Sequence, residues 1–171
     1  MSFDFIIFYT ITVFVASIIP GPSMLLALTH GMQHGAKRSL ASAFGNVTVT
    51  LVQALISLGG LGTILIASET AFLIIKWAGA AYLIYLGFRL LFSPTILLDK
   101  DSIPNSSSDK KLQKMFMQGA LVTAGNPKAI VFFTAVFPQF INPTAGYLVQ
   151  SIILLTICLF STFVCFMAYA V

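Results

Sequence analysis

Five long apolar runs, over residues 3–28, 40–67, 71–92, 115–137 and 147–171, constrain this chain more than any other feature. Each exceeds the about 20 residues that a helix needs to cross a hydrocarbon core about 30 Å thick. No water reaches the backbone there, so a spanning segment must be a helix or part of a closed β-barrel. Barrel strands read as short alternating segments, whereas these runs are long and continuous. The expected fold is therefore an all-α integral membrane protein. Composition agrees: 58% of the 171 residues are hydrophobic and 8% are charged, against roughly 25% charged in a soluble domain. Mean hydropathy is +0.97. So little polar surface does not coat a water-soluble globule.

The formal charge of +4 is distributed unevenly. Lys37 and Arg38 lie in the first connection, 30–38, with Gly31 and Gly35. Lys100, Lys110, Lys111 and Lys114 lie in the third, 93–114, which is hydrophilic and carries Pro94, Pro104 and Asn105. The second connection, 68–70, carries only Glu69, and the fourth, 138–146, has no lysine or arginine. Two crossings separate the basic loops, so they share one side. Positive charge beside spanning helices marks the cytoplasmic face and places the N-terminus outside. No groove for phosphates is implied, and nucleic acid is not an expected partner. Residues 1–171 are expected to form a single transmembrane domain. Residues 1–92 make a first three-helix repeat, 93–114 a cytoplasmic loop, and 115–171 a second, shortened repeat. No basic region precedes Phe3, so the first run reads as a spanning helix rather than a secretory signal. Trp77 and Tyr82 fit an interfacial belt, and Lys76 beside them reads as an anchor that snorkels to the headgroups.

Two runs are interrupted. The first contains Pro20-Gly21-Pro22, and the fourth contains Gly125-Asn126-Pro127-Lys128. Each proline removes a backbone donor and clashes with the preceding turn, which frees carbonyls near mid-membrane. Such a break persists only against protein or a wet cavity. The two broken helices hold equivalent places in two repeats of three, and repeats of odd number insert with opposite orientation. That is the inverted-repeat logic of many secondary transporters, whose substrate sites lie at paired broken helices. Simple packing kinks are the bland alternative.

Lys128 sharpens this expectation. A lysine at such depth costs at least about 2.5 kcal/mol and usually faces the bundle interior with a partner. Asp4 and Glu69 lie near the outer ends and Asp99, Asp101 and Asp109 in the loop. The expected partners are freed carbonyls, water or a solute carboxylate. On the second run Asn46, Thr50 and Gln53 share one helical stripe, from which Thr48 departs. Thr50 and Gln53 read as helix-to-helix hydrogen bonders. Gly45 and Asn46 are the stronger site candidates, because a glycine admits a ligand or another backbone closely. Cys158 and Cys165 read as small buried hydrophobes. His30 and His34 have no intramembrane carboxylate partner, and no metal or cofactor is called for. The chain reads as a transporter rather than an enzyme.

Pro20-Gly21-Pro22 with Leu25-Leu26, the run His34-Gly35-Ala36-Lys37-Arg38, LIIKWAGAAYLIYLG from Leu73 and NPKAIVFFTAVFPQF from Asn126 resemble the LysE/RhtB-type amino-acid exporter family, nearest its homoserine and threonine exporter branch. The resemblance covers essentially the whole chain. It implies a six-helix inner-membrane exporter of amino acids or related small metabolites, driven by the proton gradient and assembled as a homo-oligomer. Carried over, its motifs fall on Pro20, Gly21, Pro22, Gly45, Asn126, Pro127 and Lys128, and with Ser23 and Asn46 beside them these are the expected substrate-binding residues. Ser23 stands where many members have Asp or Asn, and Val49 where a second glycine is common. Five hydrophobic helices are present of an expected six in a 3+3 inverted repeat, and the last run is still apolar at Val171. The alternative expectation is a shortened, non-transporting membrane protein or subunit, poor at transport by itself.

Overall fold

A computed structural model of the chain describes residues 2–67, 70, 73, 74, 77, 81, 84, 85, 108–142 and 146–171. Among these there is no strand. Most of the expected third helix, with Lys76 and Tyr82, lies outside the described residues, as do Glu69, Pro143 and residues 93–107 of the third connection.

The first run is two helices, α1 (Phe3–Ile18) and α2 (Pro22–His34), bent by 63° at the Pro-Gly-Pro. The Ser2 side chain caps α1 by accepting from the Phe5 amide at 3.3 Å, and Asp4 adds an acidic group in the first turn. Both features suit the positive end of a helix dipole. Pro22 opens α2 at its first turn, where the missing amide has no partner to lose. Gly35 closes α2 with a φ of +77°, a conformation costly for a side chain bearing a β-carbon. The connection expected over 30–38 is thus Gly35 alone, because α3 (Ala36–Ala67) begins at the next residue.

The fourth run is α4 (Ser108–Ala124), then α5 (Pro127–Val131), a π-helical turn at Phe132–Val136 and a 3-10 turn at Phe137–Phe140. The axes on either side of Asn126 bend by 54°. α4 starts inside the segment assigned to the 93–114 loop. Hydropathy marks the embedded part of a helix, and the good helix formers Lys110, Lys111 and Leu112 carry it further. The last helix is α6 (Tyr147–Ala170).

The protein is an all-helical integral membrane protein. Within α3 and α6, Ala36–Gly59 and Tyr147–Ala170 are long and apolar enough to cross a bilayer, and each bent pair adds a crossing if it is one span. Phe3, Phe8, Leu148, Ile152 and Phe160 are exposed on α1 and α6, as expected of side chains whose solvent is lipid. α3 packs along α4, and α6 packs against α1, α2 and α3. At the α3–α4 crossing Gly45 faces the Phe116 carbonyl and Gly119 faces the Ser42 carbonyl, each closely enough that a β-carbon would overlap it. Gly31 on α2 meets the Ala170 carbonyl in the same way. These are the small-residue contacts through which spanning helices approach. Midway along α1 the ring of Tyr9 packs edge-on against Phe140 at 4.8 Å and Phe137 at 6.3 Å. The Tyr9 hydroxyl donates to the Leu154 carbonyl at 3.0 Å.

Candidate functional site

At the first break, Pro20 and Pro22 remove the donors that an unbroken helix would send to the carbonyls of Ala16 and Ile18. Side chains from elsewhere fill in. The Tyr169 hydroxyl on α6 donates to the Ile18 carbonyl at 2.9 Å, and Lys128 Nζ donates to the Ile19 carbonyl at 2.7 Å. The second contact joins the two breaks directly. Among the described residues Lys128 has no carboxylate partner, and a freed carbonyl takes that place.

The second break is held by Asn126. Its Oδ1 accepts from the Lys128 amide at 3.1 Å and caps α5, while its Nδ2 donates to Ser23 Oγ at 3.0 Å. Capping therefore fixes which end of the amide points at α2. Ser23 Oγ lies 3.4 Å from Thr123 Oγ1, and Asn46 Nδ2 donates to the same Thr123 oxygen at 2.6 Å. The Thr123 proton goes to the Gly119 carbonyl at 2.7 Å, so this hydroxyl accepts from both neighbours. Gln53 Nε2 adds a bond to the Thr123 carbonyl at 3.4 Å.

Thr123 is thus the hub of a network joining α2, α3, α4 and the start of α5. Ser23, Asn46, Thr123 and Asn126 are each under 5% exposed. Because Nδ2 of Asn46 is committed to Thr123, its Oδ1 faces away, and it finds no hydrogen-bond partner. A buried acceptor without a partner costs about 1–3 kcal/mol, which a bound donor would recover.

Beside the network lies a cavity of about 470 Å³, lined at one end by Ser23, Asn46, Thr50, Thr123, Asn126 and Lys128. The volume falls within the range of roughly 300–1,000 Å³ usual for small-molecule sites. Convergent polar groups from four segments at two helix breaks fit a solute held inside a membrane domain.

A LysE type translocator model matches residues 14–171. The chain belongs to the LysE translocator family. It is 36% identical over 154 residues to a homoserine/homoserine lactone efflux protein of Salmonella typhimurium, covering 90% of this chain and 73% of that protein. An uncharacterized membrane protein of Bacillus subtilis is 33% identical over 145 residues, or 82% of this chain and 69% of its own. A leucine efflux protein of an Enterobacter species is 28% identical over 137 residues, 80% of this chain and 64% of its own. No solved structure matches the chain.

In this translocator Ser23, Asn46, Asn126 and Lys128, all expected at the site, line the cavity. Pro20, Pro22 and Pro127 shape its backbone without lining it, and Gly21 faces the end of the Lys128 side chain. Gly45 serves the α3–α4 crossing instead, where the group approaching it is a backbone and not a solute. Gln53 makes its helix-to-helix bond, whereas Thr50, read as another such bonder, lines the cavity. Thr123 escaped the sequence reading. The available signal was a hydroxyl three residues before Asn126, one turn ahead of the break.

Proposed function

We propose that this translocator is a secondary transporter that exports amino acids or related small metabolites from the cytoplasm, across the bacterial inner membrane, using the proton gradient. The observation that carries the reading is the Lys128 ammonium on the Ile19 carbonyl, beside a cavity that Asn46 also lines and next to which the Asn46 Oδ1 lies buried without a hydrogen-bond partner. A lysine ammonium has three donors, and among the described residues one of them is used, on the Ile19 carbonyl. The remaining two suit a carboxylate, while Asn46 Oδ1 suits an ammonium. A zwitterionic amino acid offers both groups a short distance apart. Binding it adds charge-assisted hydrogen bonds, which are roughly twice as strong as neutral ones. The efflux names of the relatives point to the same class of solute.

The two breaks would then be the pivot of alternating access, with the bent halves moving about a shared site. Basic loops on the cytoplasmic side and assembly as a homo-oligomer belong to the same proposal. The test uses everted membrane vesicles from cells expressing the chain. Under an imposed proton gradient, vesicles should accumulate amino acid in excess of empty-vector controls, and a protonophore should abolish the excess. Accumulation unaffected by the protonophore would remove proton coupling, and none above control would remove export.

A further inference from the structure

On the export reading the network holds the head of an amino acid, and the rest of the cavity bears on which amino acid that is. α1 and the chain after Lys128 run antiparallel: Ile19 meets Lys128 at one end, and Tyr9 meets Phe137 and Phe140 at the other. Between these contacts the cavity wall is made by Ile11, Val13, Phe132, Phe133, Val136 and Cys158. Ile11 to Ile19 covers about two helical turns, or roughly 12 Å. The space is thus polar at the lysine and apolar along Val13, Phe132, Phe133 and Val136 toward the other end. Polar groups near the apolar end are already engaged. Thr12 Oγ1 donates to the Phe8 carbonyl at 2.8 Å, the Phe133 carbonyl accepts from Ser57 Oγ, and the Tyr9 hydroxyl is bound to Leu154. A substrate hydroxyl placed there would leave water and gain nothing, whereas an apolar group would fill the wall.

We propose that this end is a subsite for a large apolar side chain. The preferred solute is then an amino acid of the leucine, methionine or phenylalanine class rather than a small hydroxy-amino acid. The inference rests on the export reading above and adds a ranking to it. A site that binds apolar groups discriminates by roughly tenfold or more per missing methylene. Leucine should therefore exceed homoserine by at least about that factor in kcat/KM.

The experiment is uptake of labelled leucine and homoserine into proteoliposomes of the full chain and of Val136→Phe. Val136 is half-buried in the π-helical turn and lines the cavity next to the Tyr9–Phe137 contact, so the larger ring takes up space at the side-chain end. The expected result is a leucine preference in the parent and a leucine-to-homoserine ratio reduced about tenfold or more in the variant. Homoserine or threonine moved as well as leucine by the parent would overturn the inference, and so would an equal loss for both solutes in Val136→Phe. Should the variant not fold, the rise in Tm of the purified parent decides: a larger rise with leucine than with homoserine supports the subsite, and the reverse order overturns it. If no amino acid is moved or bound, the export reading fails and this inference with it. If homoserine is moved and leucine is not, only this inference fails.

Discussion

Lys128 Nζ lies 2.7 Å from the carbonyl oxygen of Ile19, a residue 109 positions earlier in the chain, so the two helix breaks touch through a charge-assisted hydrogen bond. That contact explains how a lysine is kept between apolar helices, and it supplies the charge on which the export reading depends.

Lys128→Met keeps the length of the side chain and removes the ammonium. The expected outcome is at least about a tenfold fall in kcat/KM for amino-acid transport, given the about 1.5–3 kcal/mol carried by a hydrogen bond to a charged group. Membrane insertion should be unchanged or improved, because the lysine costs at least about 2.5 kcal/mol there. Proteoliposome uptake beside an immunoblot of membrane fractions checks both halves. Undiminished uptake would take Lys128 out of the mechanism.

Thr123→Val deletes an oxygen that accepts from Asn46 and lies beside Ser23. The buried donors of Asn46 and Ser23 both lose their acceptor, at a cost of about 1–3 kcal/mol for each donor left without a partner. Thermal unfolding in detergent should register a lower Tm, and Thr123→Ser, which keeps the oxygen, should recover most of it. A Thr123→Val protein as stable as the parent would show that the hub is dispensable.

Gly45→Ala puts a methyl group into the Phe116 carbonyl, and the crossing of α3 and α4 must open to admit it. Overpacking of this kind costs typically about 1–3 kcal/mol. Asn46 is the next residue, and Thr123 lies one turn beyond Gly119 at the same crossing. Transport should therefore fall together with stability. Because Gly45 and Gly119 serve one contact, Gly45→Ala and Gly119→Ala should combine less than additively in unfolding measurements. Strict additivity would mean that the two positions act separately.

Topology is checked by single cysteines introduced in a chain with Cys158 and Cys165 replaced. A cysteine at Lys37 or Lys110 should resist a membrane-impermeant maleimide in intact cells, and one at Glu69 or Pro143 should react, as the basic loops predict. Labelling of the Lys110 position from outside would reverse the assignment.

The breaks were legible in the sequence because proline's effect is local: the lost donor and the blocked turn follow from the residue itself. Lys128 and Asn126 were legible because a charge and an amide in an apolar run demand partners. Thr123 was not, since a lone hydroxyl in a spanning helix ordinarily bonds back to its own backbone. Thr123 does so too, and its role arises only from what α2 and α3 bring to it. Gly45 was read as open to either a ligand or a backbone, and only packing decided for the backbone. Helix ends were misplaced at Gly35 and Ser108 because hydropathy reports lipid contact and not where hydrogen bonding stops.

The single-residue join at Gly35 has a mechanical consequence. α2 is pinned at its far end to α3 by that join and to α6 by the close seat of Gly31 on Ala170, while the outer half of α1 is clamped by Phe5, Phe8 and Tyr9 against Phe140. Two stiff rods anchored at their outer ends can change their mutual angle only at the elbow between them, residues 19–21. Lys128 grips that elbow by its first carbonyl, so whatever loosens this grip acts as the latch on the whole arm.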